Sequence, residues 1–449
     1  MKVFFSLVLL GILTCAAAWG QATAQMHGTV LDASGAAIPG ADIKATQTET
    51  GLARTATSGA DGAFVLTNLP LGPYQVEVSK EGFTKYVQNG VVLQVNSDPA
   101  VEAALKIGAV TEQVVVEANA AQVETRSSGI GEVVQTQRIV DLPLNGRNVT
   151  DLITLAGGSV NFGNIRSSFF ANLPMISIAG QAMSGEPFGT DYSLDGANHV
   201  NFMTGTTMPI AFPDAVQEFK VESSGQTSSH GSAAAITVVT RSGSNNFHGN
   251  LFEFIRNSDF GSAREYFSAS AVSYKRNQYG GTIGGPIKKN KLFFFGGFQG
   301  TNIRQNPDNT ITTIPTTNML AGDWTTFASA ACNGGVAKTL KAPFTNNTIN
   351  PALYSAPAVY IADKILASLG GLQPNQCGVI TYNTPDVENY LQFTGKVDYQ
   401  LSDKQSVFFR ALDTHNNLPN SFSVTPNLLT AASTGLNQLG NPMPSGTPM

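Results

Sequence analysis

Charge is scarce in this chain. Asp, Glu, Lys and Arg supply 13% of its 449 residues, and the net charge is −5. So little charge excludes long solvated helices and coiled coils. With no extended basic run there is no electrostatic footprint for nucleic acid. Cysteine is almost absent: of three, Cys15 falls in an N-terminal leader, leaving Cys332 and Cys377 in one long segment. Two cysteines make no zinc quartet. In an exported protein they can close a loop as a disulfide or stay as two buried thiols. The five histidines (His27, His199, His230, His248, His415) show no ligand spacing. Tryptophan occurs twice against 26 phenylalanines. No nucleophile elbow, zinc signature or acid–base pair is found, which argues against an enzyme and calls for no cofactor. Gly280-Gly281-Thr282-Ile283-Gly284-Gly285 lacks the Lys-Ser/Thr pair and the following helix of a phosphate loop, so close strand packing explains it better. Asp191, Asp195 and Glu218 are not spaced to face one another across a pocket, and Asp195-Gly196 reads as a turn.

What the chain has is glycine (45 residues) and polarity carried by Asn, Thr, Ser and Gln, the composition of β-structure with many turns. Residues 1–24 read as a secretory signal: Lys2, an apolar core over 3–13, then Ala22-Thr23-Ala24, with cleavage between Ala24 and Gln25. The apolar core is too short to span a bilayer. Residues 25–108 form a first domain. Short strands are expected at 27–31, 42–47, 53–58, 63–68, 74–80, 91–95 and 101–107, separated by Ser34-Gly35, Pro39-Gly40, Asp61-Gly62, Leu71-Gly72-Pro73 and Glu81-Gly82. That spacing predicts a small β-sandwich.

GTVLDASGAAIPGADI and TSGADGAFVLTNLPLGPYQVEVSKEGF closely resemble the carboxypeptidase regulatory-like domain. The resemblance implies a transthyretin/prealbumin-like sandwich, a carbohydrate-binding-type fold, acting as a folding or binding module without peptidase chemistry. The linker 109–119 contains AVTEQVVVEA, an extended β-branched run suited to pairing along another sheet edge. It is either the last strand of the sandwich or, by position, a segment resembling a TonB box. In the second case Val110, Thr111, Glu112, Gln113, Val114, Val115 and Val116 would pair with TonB.

Residues 120–244 contain VVQTQRIVDLPLNGRNVTDLITLAGGSV, ISIAGQ, DYSLDGANHVN, FPDAVQEFKVES and HGSAAAITVVTRSGSNNFHG. A helix is expected from about Asn148 to Leu155, with Thr150 and Asp151 in its first turn. In this order the segments resemble the α+β plug domain of TonB-dependent receptors, particularly the Oar-like group. From 245 onward, strands are expected at 247–257, 276–285, 291–300, 392–400 and 405–413. Each has about the 9–11 residues of a tilted membrane strand. Short connections (285–291, 401–404) alternate with long ones (258–275, 301–391, 414–449), as in outer-membrane barrels. Phe393, Val397 and Tyr399 share one face of 392–400 while Thr394, Lys396, Asp398 and Gln400 share the other, apolar to lipid and polar to lumen. NQYGGTIGGPIKKNKLFFFGGF and GKVDYQLSDKQSVFFRA resemble strands of Oar-like barrels.

The expected fold is therefore mainly β: sandwich, plug, and the first ~5 strands of an antiparallel outer-membrane barrel. Large barrels of this kind close with about 22 strands. An open sheet edge in lipid is very costly, so 245–449 is expected to be the start of a barrel and the chain a fragment. The resemblance implies uptake of an extracellular siderophore, glycan or peptide, energised through TonB and its inner-membrane partners, with outer-membrane lipid around the barrel. A surface-assembly or adhesion protein anchored by the barrel is the alternative. A soluble periplasmic binding protein ending near 244 is a third reading, opposed by the alternation in 392–400.

Overall fold

The computed structural model describes residues 23–108, 113–117, 129–167, 170–178, 190–201, 206–224, 234–260, 273–305, 310–368, 373–382, 386–402 and 405–417. The chain forms two compact units, one of residues 1–253, 279–300 and 390–416, the other of 254–278, 301–389 and 417–449.

The first unit begins with eight strands: β1 (Ala24–Asp32), β2 (Asp42–Gln47), β3 (Ala53–Thr57), β4 (Ala63–Leu69), β5 (Gly72–Ser79), β6 (Lys85–Leu93), β7 (Ala100–Leu105) and β8 (Gln113–Glu117). They form two sheets, ordered β4-β1-β7 and β3-β2-β5-β6-β8. Alternation sets the faces. In β2, Ile43, Ala45 and Gln47 point inward while Asp42 and Lys44 point out; in β7, Val101, Ala103 and Leu105 do the same. Met26, Val30, Ile43, Val76, Val78 and Leu93 are fully buried between the sheets. Each such side chain contributes roughly 1.5–3 kcal/mol relative to exposure. Gly62 turns the chain into β4 at φ 75°, and a Cβ there would lie 2.5 Å from the Val30 carbonyl.

The sandwich is the one expected, with two differences. The sixth strand runs Lys85–Leu93 rather than over 91–95. Its polar half pairs with β5 all the same: Tyr86 enters the sandwich core, and Lys85 Nζ pairs with Glu77 of β5 at 3.1 Å. The second difference is β8, which lies parallel to β6 and extends the larger sheet.

Next come β9 (Ile130–Gln135), α1 (Thr136–Asp141), β10 (Ser159–Ser167), β11 (Phe170–Ile178), β12 (Asp191–Leu194), β13 (Ala197–Asn198), β14 (Val200–Asn201), β15 (Thr206–Thr207), β16 (Val216–Ser224) and β17 (Ala235–Thr240). A central sheet has the order β13-β12-β17-β16-β9, and β10–β11 and β14–β15 are separate antiparallel pairs. All six residues of β17 are buried, as in a strand covered on both faces. Its Ile236 and Val238 share a core with Ile139, Phe219 and Phe295. The helix expected near Asn148 is a 3-10 helix, Val149–Leu155. Its cap is Asn148, whose Oδ1 accepts from the Thr150 N–H (3.3 Å) and from Thr150 Oγ1 (2.8 Å), while Thr150 and Asp151 lie in the first turn as expected.

Long strands follow: β18 (His248–Asn257), β19 (Tyr274–Lys288) and β20 (Leu292–Gln305). The segment expected to be a featureless connection instead holds β21 (Thr310–Thr313), α2 (Thr317–Leu320), α3 (Thr325–Ala328), α4 (Ala356–Ser368) and β22 (Val379–Tyr382). Ser355 accepts the Val359 N–H at the start of α4, and Ile365 joins Ile314 and Ile380 in a small core of the second unit. The last strands are β23 (Asp386–Ser402) and β24 (Gln405–Asn417), and the long sheet has the order β18-β19-β20-β23-β24. These are the five expected strands: β19, β23 and β24 extend beyond the expected bounds, β20 starts one residue later and runs on to Gln305, and β18 is shortened by one residue. The Gly280–Gly285 run lies inside β19, where a Cβ on Gly280 would meet the Phe298 carbonyl at 2.1 Å. The glycines therefore serve close strand approach. No described helix is long and apolar enough to cross a membrane, which leaves crossing by strands untouched.

Candidate functional site

Within the first unit, the inward face of the long strands grips the central sheet through polar side chains. The alternation of β23 places them. Gln392, Thr394, Lys396 and Gln400 are buried, whereas Phe393, Val397, Tyr399 and Leu401 on the other face are exposed.

Gln392 acts on backbone. Its Oε1 accepts the Phe212 N–H at 2.8 Å and its Nε2 donates to the Ile210 carbonyl at 2.9 Å. A primary amide supplies both a donor and an acceptor, so one side chain satisfies two groups of an otherwise unpaired loop.

Asp195 is the second anchor. It sits with Gly196 in the turn between β12 and β13, both residues in the left-handed region at φ 50° and 84°, which suits a tight hairpin. Its carboxylate is only 2% exposed. It accepts from the Thr240 N–H (2.9 Å) and Thr240 Oγ1 (2.7 Å). Lys396 Nζ of β23 lies 3.4 Å from Oδ1, and Arg410 Nε of β24 lies 2.9 Å from Oδ2. Lys396 also donates to the Thr240 carbonyl at 3.3 Å. Two cations on adjacent long strands thus converge on one buried acid of the central sheet.

Asp214 is the third anchor and is equally buried. It pairs with Arg147 and accepts from Asn250 of β18. The Arg147 guanidinium stands 4.4 Å from the centre of the Phe252 ring. Burial pulls Arg147 below its ordinary pKa while the Asp214 charge opposes that shift. Asn250 in turn accepts from Thr282 Oγ1 at 2.6 Å, tying β18 to β19.

A fourth contact joins the central sheet to the sandwich. The Val95 N–H donates to Glu218 Oε2 at 2.8 Å, and Lys220 Nζ reaches the Val95 carbonyl at 3.5 Å. Burial is the main influence on Glu218 and raises it from 4.5 to about 7, against the lowering effects of the Val95 N–H and Lys220. His199, held at 2.8 Å from the Pro209 carbonyl, is pushed below its ordinary pKa by burial.

The residues singled out from sequence fall elsewhere. Val110, Thr111 and Glu112 lie outside the described residues. Gln113, Val114, Val115 and Val116 belong to β8, in register with Lys85, Tyr86, Val87 and Gln88. Val115 is 51% exposed, and Asn89 Nδ2 donates to Glu117 Oε1 at 3.2 Å. Ala24 is buried at the start of β1, paired with Leu69, and the Gln25 N–H donates to the Ser97 carbonyl. In the second unit Cys332 and Cys377 are joined as a disulfide, with Cα atoms 5.3 Å apart. Among the described residues no cluster of His, Cys, Asp and Glu could hold a metal ion.

Sequence reasoning did not find the clasp. Asp195 was accounted for as a turn residue, and Lys396 only as part of a polar face. The available signal was a lysine within a membrane-type strand, which needs a buried acid somewhere.

Residues 25–106 match the family described as Carboxypeptidase regulatory-like domain, and residues 239–442 match Outer membrane beta barrel domain. The TonB-dependent transporter Oar of Myxococcus xanthus is 28% identical over 330 residues, covering 68% of this chain and 29% of the relative. The chain thus spans under a third of that relative's length. Among solved structures, the siderophore receptor PirA from Acinetobacter baumannii aligns at 14% identity over 68% of this chain and 34% of its own, with a TM-score of 0.35. Hydroxyquinol 1,2-dioxygenase from Pseudomonas putida DLL-E4 aligns at 12% identity over 20% of this chain and 57% of its own, with a TM-score of 0.17. Scores this low fix neither fold nor activity. Family matches and sequence identity together make the chain a homologue of the TonB-dependent transporter Oar, with a carboxypeptidase regulatory-like domain ahead of an outer membrane β-barrel domain.

Proposed function

We propose that the chain works in TonB-dependent uptake across the outer membrane, with residues 120–244 as the plug and 245–449 contributing barrel strands. The observation that carries this reading is the two-faced β23. Its exposed face is apolar, suited to lipid, and its buried face holds Gln392 and Lys396 on the central sheet. A plug held by hydrogen bonds and ion pairs can exchange them for water when pulled, at less cost than parting an apolar core.

On this reading the leader is removed between Ala24 and Gln25, β1 starts at Gln25 in the mature protein, and the 110–116 segment is the TonB box. β-Pairing supplies the affinity for TonB. The ligand is an extracellular siderophore, glycan or peptide.

The experiment is binding of the purified periplasmic domain of TonB to the full chain, alongside membrane fractionation. Fractionation into the outer membrane and loss of TonB binding on deleting 110–118 are expected. Undiminished TonB binding by the deletion variant would remove the coupling role of that segment, and recovery in the soluble periplasm would remove the membrane assignment.

A further inference from the structure

A cavity of about 410 Å3 opens in the first unit, among the sandwich turn at Gln47 and Glu49, the segment Arg241–Ser244, and the end of β23. Its volume falls within the ~300–1,000 Å3 of ordinary small-molecule sites. Two acceptors of its lining stand out. Asp398 Oδ2 and Gln400 Oε1 are buried and have no hydrogen-bond partner. Two positions apart on β23, they share its inward face. Gln400 is 8% exposed, and its Nε2 is already committed, donating to the Ser402 carbonyl. Buried acceptors in native proteins are nearly always paired, so two orphans on one cavity wall are the mark of a missing donor.

The neighbouring cations do not supply it. Lys396 Nζ is engaged by Asp195 Oδ1 at 3.4 Å and the Thr240 carbonyl at 3.3 Å. Arg241 Nη1 donates to the Asp214 carbonyl at 3.5 Å. The formal charges of the lining cancel, Glu49 and Asp398 against Arg241 and Lys396. A cavity with no net charge rewards neither a free cation nor an anion. What it lacks is hydrogen-bond donors on a neutral body. Hydroxyl groups meet that need, since each can donate to an orphan acceptor, whereas Ser242 is already hydrogen-bonded to the Asp398 side chain. Phe293, which is buried, adds apolar surface to the lining.

We propose that this cavity is a binding site for a neutral polyhydroxylated ligand of mono- or disaccharide size, whose hydroxyls donate to Asp398 Oδ2 and Gln400 Oε1. The site is bounded on one side by the sandwich, and it is independent of whether the chain transports anything.

The test is calorimetric titration of the purified full chain with maltose, trehalose and myo-inositol, with citrate and spermidine as charged counterparts. Saturable binding of at least one neutral probe is expected. Asp398→Asn and Gln400→Met should each weaken it by about tenfold or more. Thermal unfolding of both variants should match the parent, separating lost contacts from lost fold. Binding that neither variant weakens would overturn the proposal. So would saturation by citrate or spermidine alone, or no saturation by any neutral probe. None of these outcomes depends on TonB binding, so the transport reading stands or falls separately.

Discussion

The sandwich and the central sheet solve the same packing problem with opposite chemistry. Between the sandwich sheets, Met26, Ile43, Val76 and Leu93 belong to one cluster of buried apolar side chains. Where the central sheet meets the long strands, the decisive groups are Asp195, Asp214, Lys396 and Gln392, all buried, beside aromatic rings such as Phe252 and Phe295. Apolar packing tolerates small shifts and loses stability gradually as contacts are trimmed. A buried acid flanked by two cations has one acceptable geometry and a steep penalty for losing a partner. The first region therefore tolerates small changes, and the second is held in one arrangement.

The largest expected effect tests that contrast. Asp195→Ala removes the acid that Lys396 and Arg410 share, which should cost roughly 3–5 kcal/mol locally. Amide exchange across Ala235–Thr240 should accelerate by about a hundredfold or more, while exchange in the sandwich stays unchanged. Replacing all three with apolar residues, Asp195→Leu with Lys396→Met and Arg410→Met, should recover most of the protection. Exchange unaltered by Asp195→Ala would show that apolar contacts alone hold the sheet.

Glu218 gives the next effect, and its sign follows from its raised pKa. Because the folded carboxyl titrates near 7 rather than 4.5, the folded state holds a proton that the unfolded chain has released between those values. Its contribution is fully present below about pH 4.5 and is lost as pH rises through 7, a swing on the order of 3 kcal/mol. Melting temperature should fall across that window. Glu218→Gln, which still accepts from the Val95 N–H, should flatten this part of the profile; an unchanged slope would assign the pH dependence to other groups.

Smaller losses are expected from trimming contacts. Asn148→Ala removes the cap that holds Thr150 and should cost about 1 kcal/mol. Ile43→Val in the sandwich should cost a similar amount, about 0.5–1.5 kcal/mol, read from denaturant midpoints. If Ile43→Val cost as much as Asp195→Ala, the contrast between a yielding core and an exacting clasp would fail.

How much of this was legible in the sequence follows from the range of each interaction. The strands of the sandwich and the long sheet were visible because alternation is local: Thr394, Lys396 and Phe393, Val397 declare their faces within a few residues. The Asp195-Gly196 turn was visible for the same reason. The partners of Asp195 were not, since Lys396 lies 201 positions away and no spacing connects them. Nor was α4, although Ser355, Pro357 and the apolar residues Ile361 and Ile365 carry a helical start and an i, i+4 stripe. That the 113–117 run is the last strand of the sandwich was one of two open readings; its parallel pairing with β6 was not legible, because an extended β-branched run fits any accepting sheet edge.

That edge gives the smallest expected effect on stability. Val115 is half exposed on β8, outside the sandwich core, so Val115→Lys removes little buried surface. Its cost in folding free energy should stay within about 0.5 kcal/mol. A strand pairing with another protein is a different matter, since its side chains must then fit against a second sheet and its neighbours. If the segment couples to TonB, Val115→Lys should weaken that binding while the melting temperature of the chain is unmoved. If instead the segment only extends the sandwich sheet, TonB binding should be indifferent to the change.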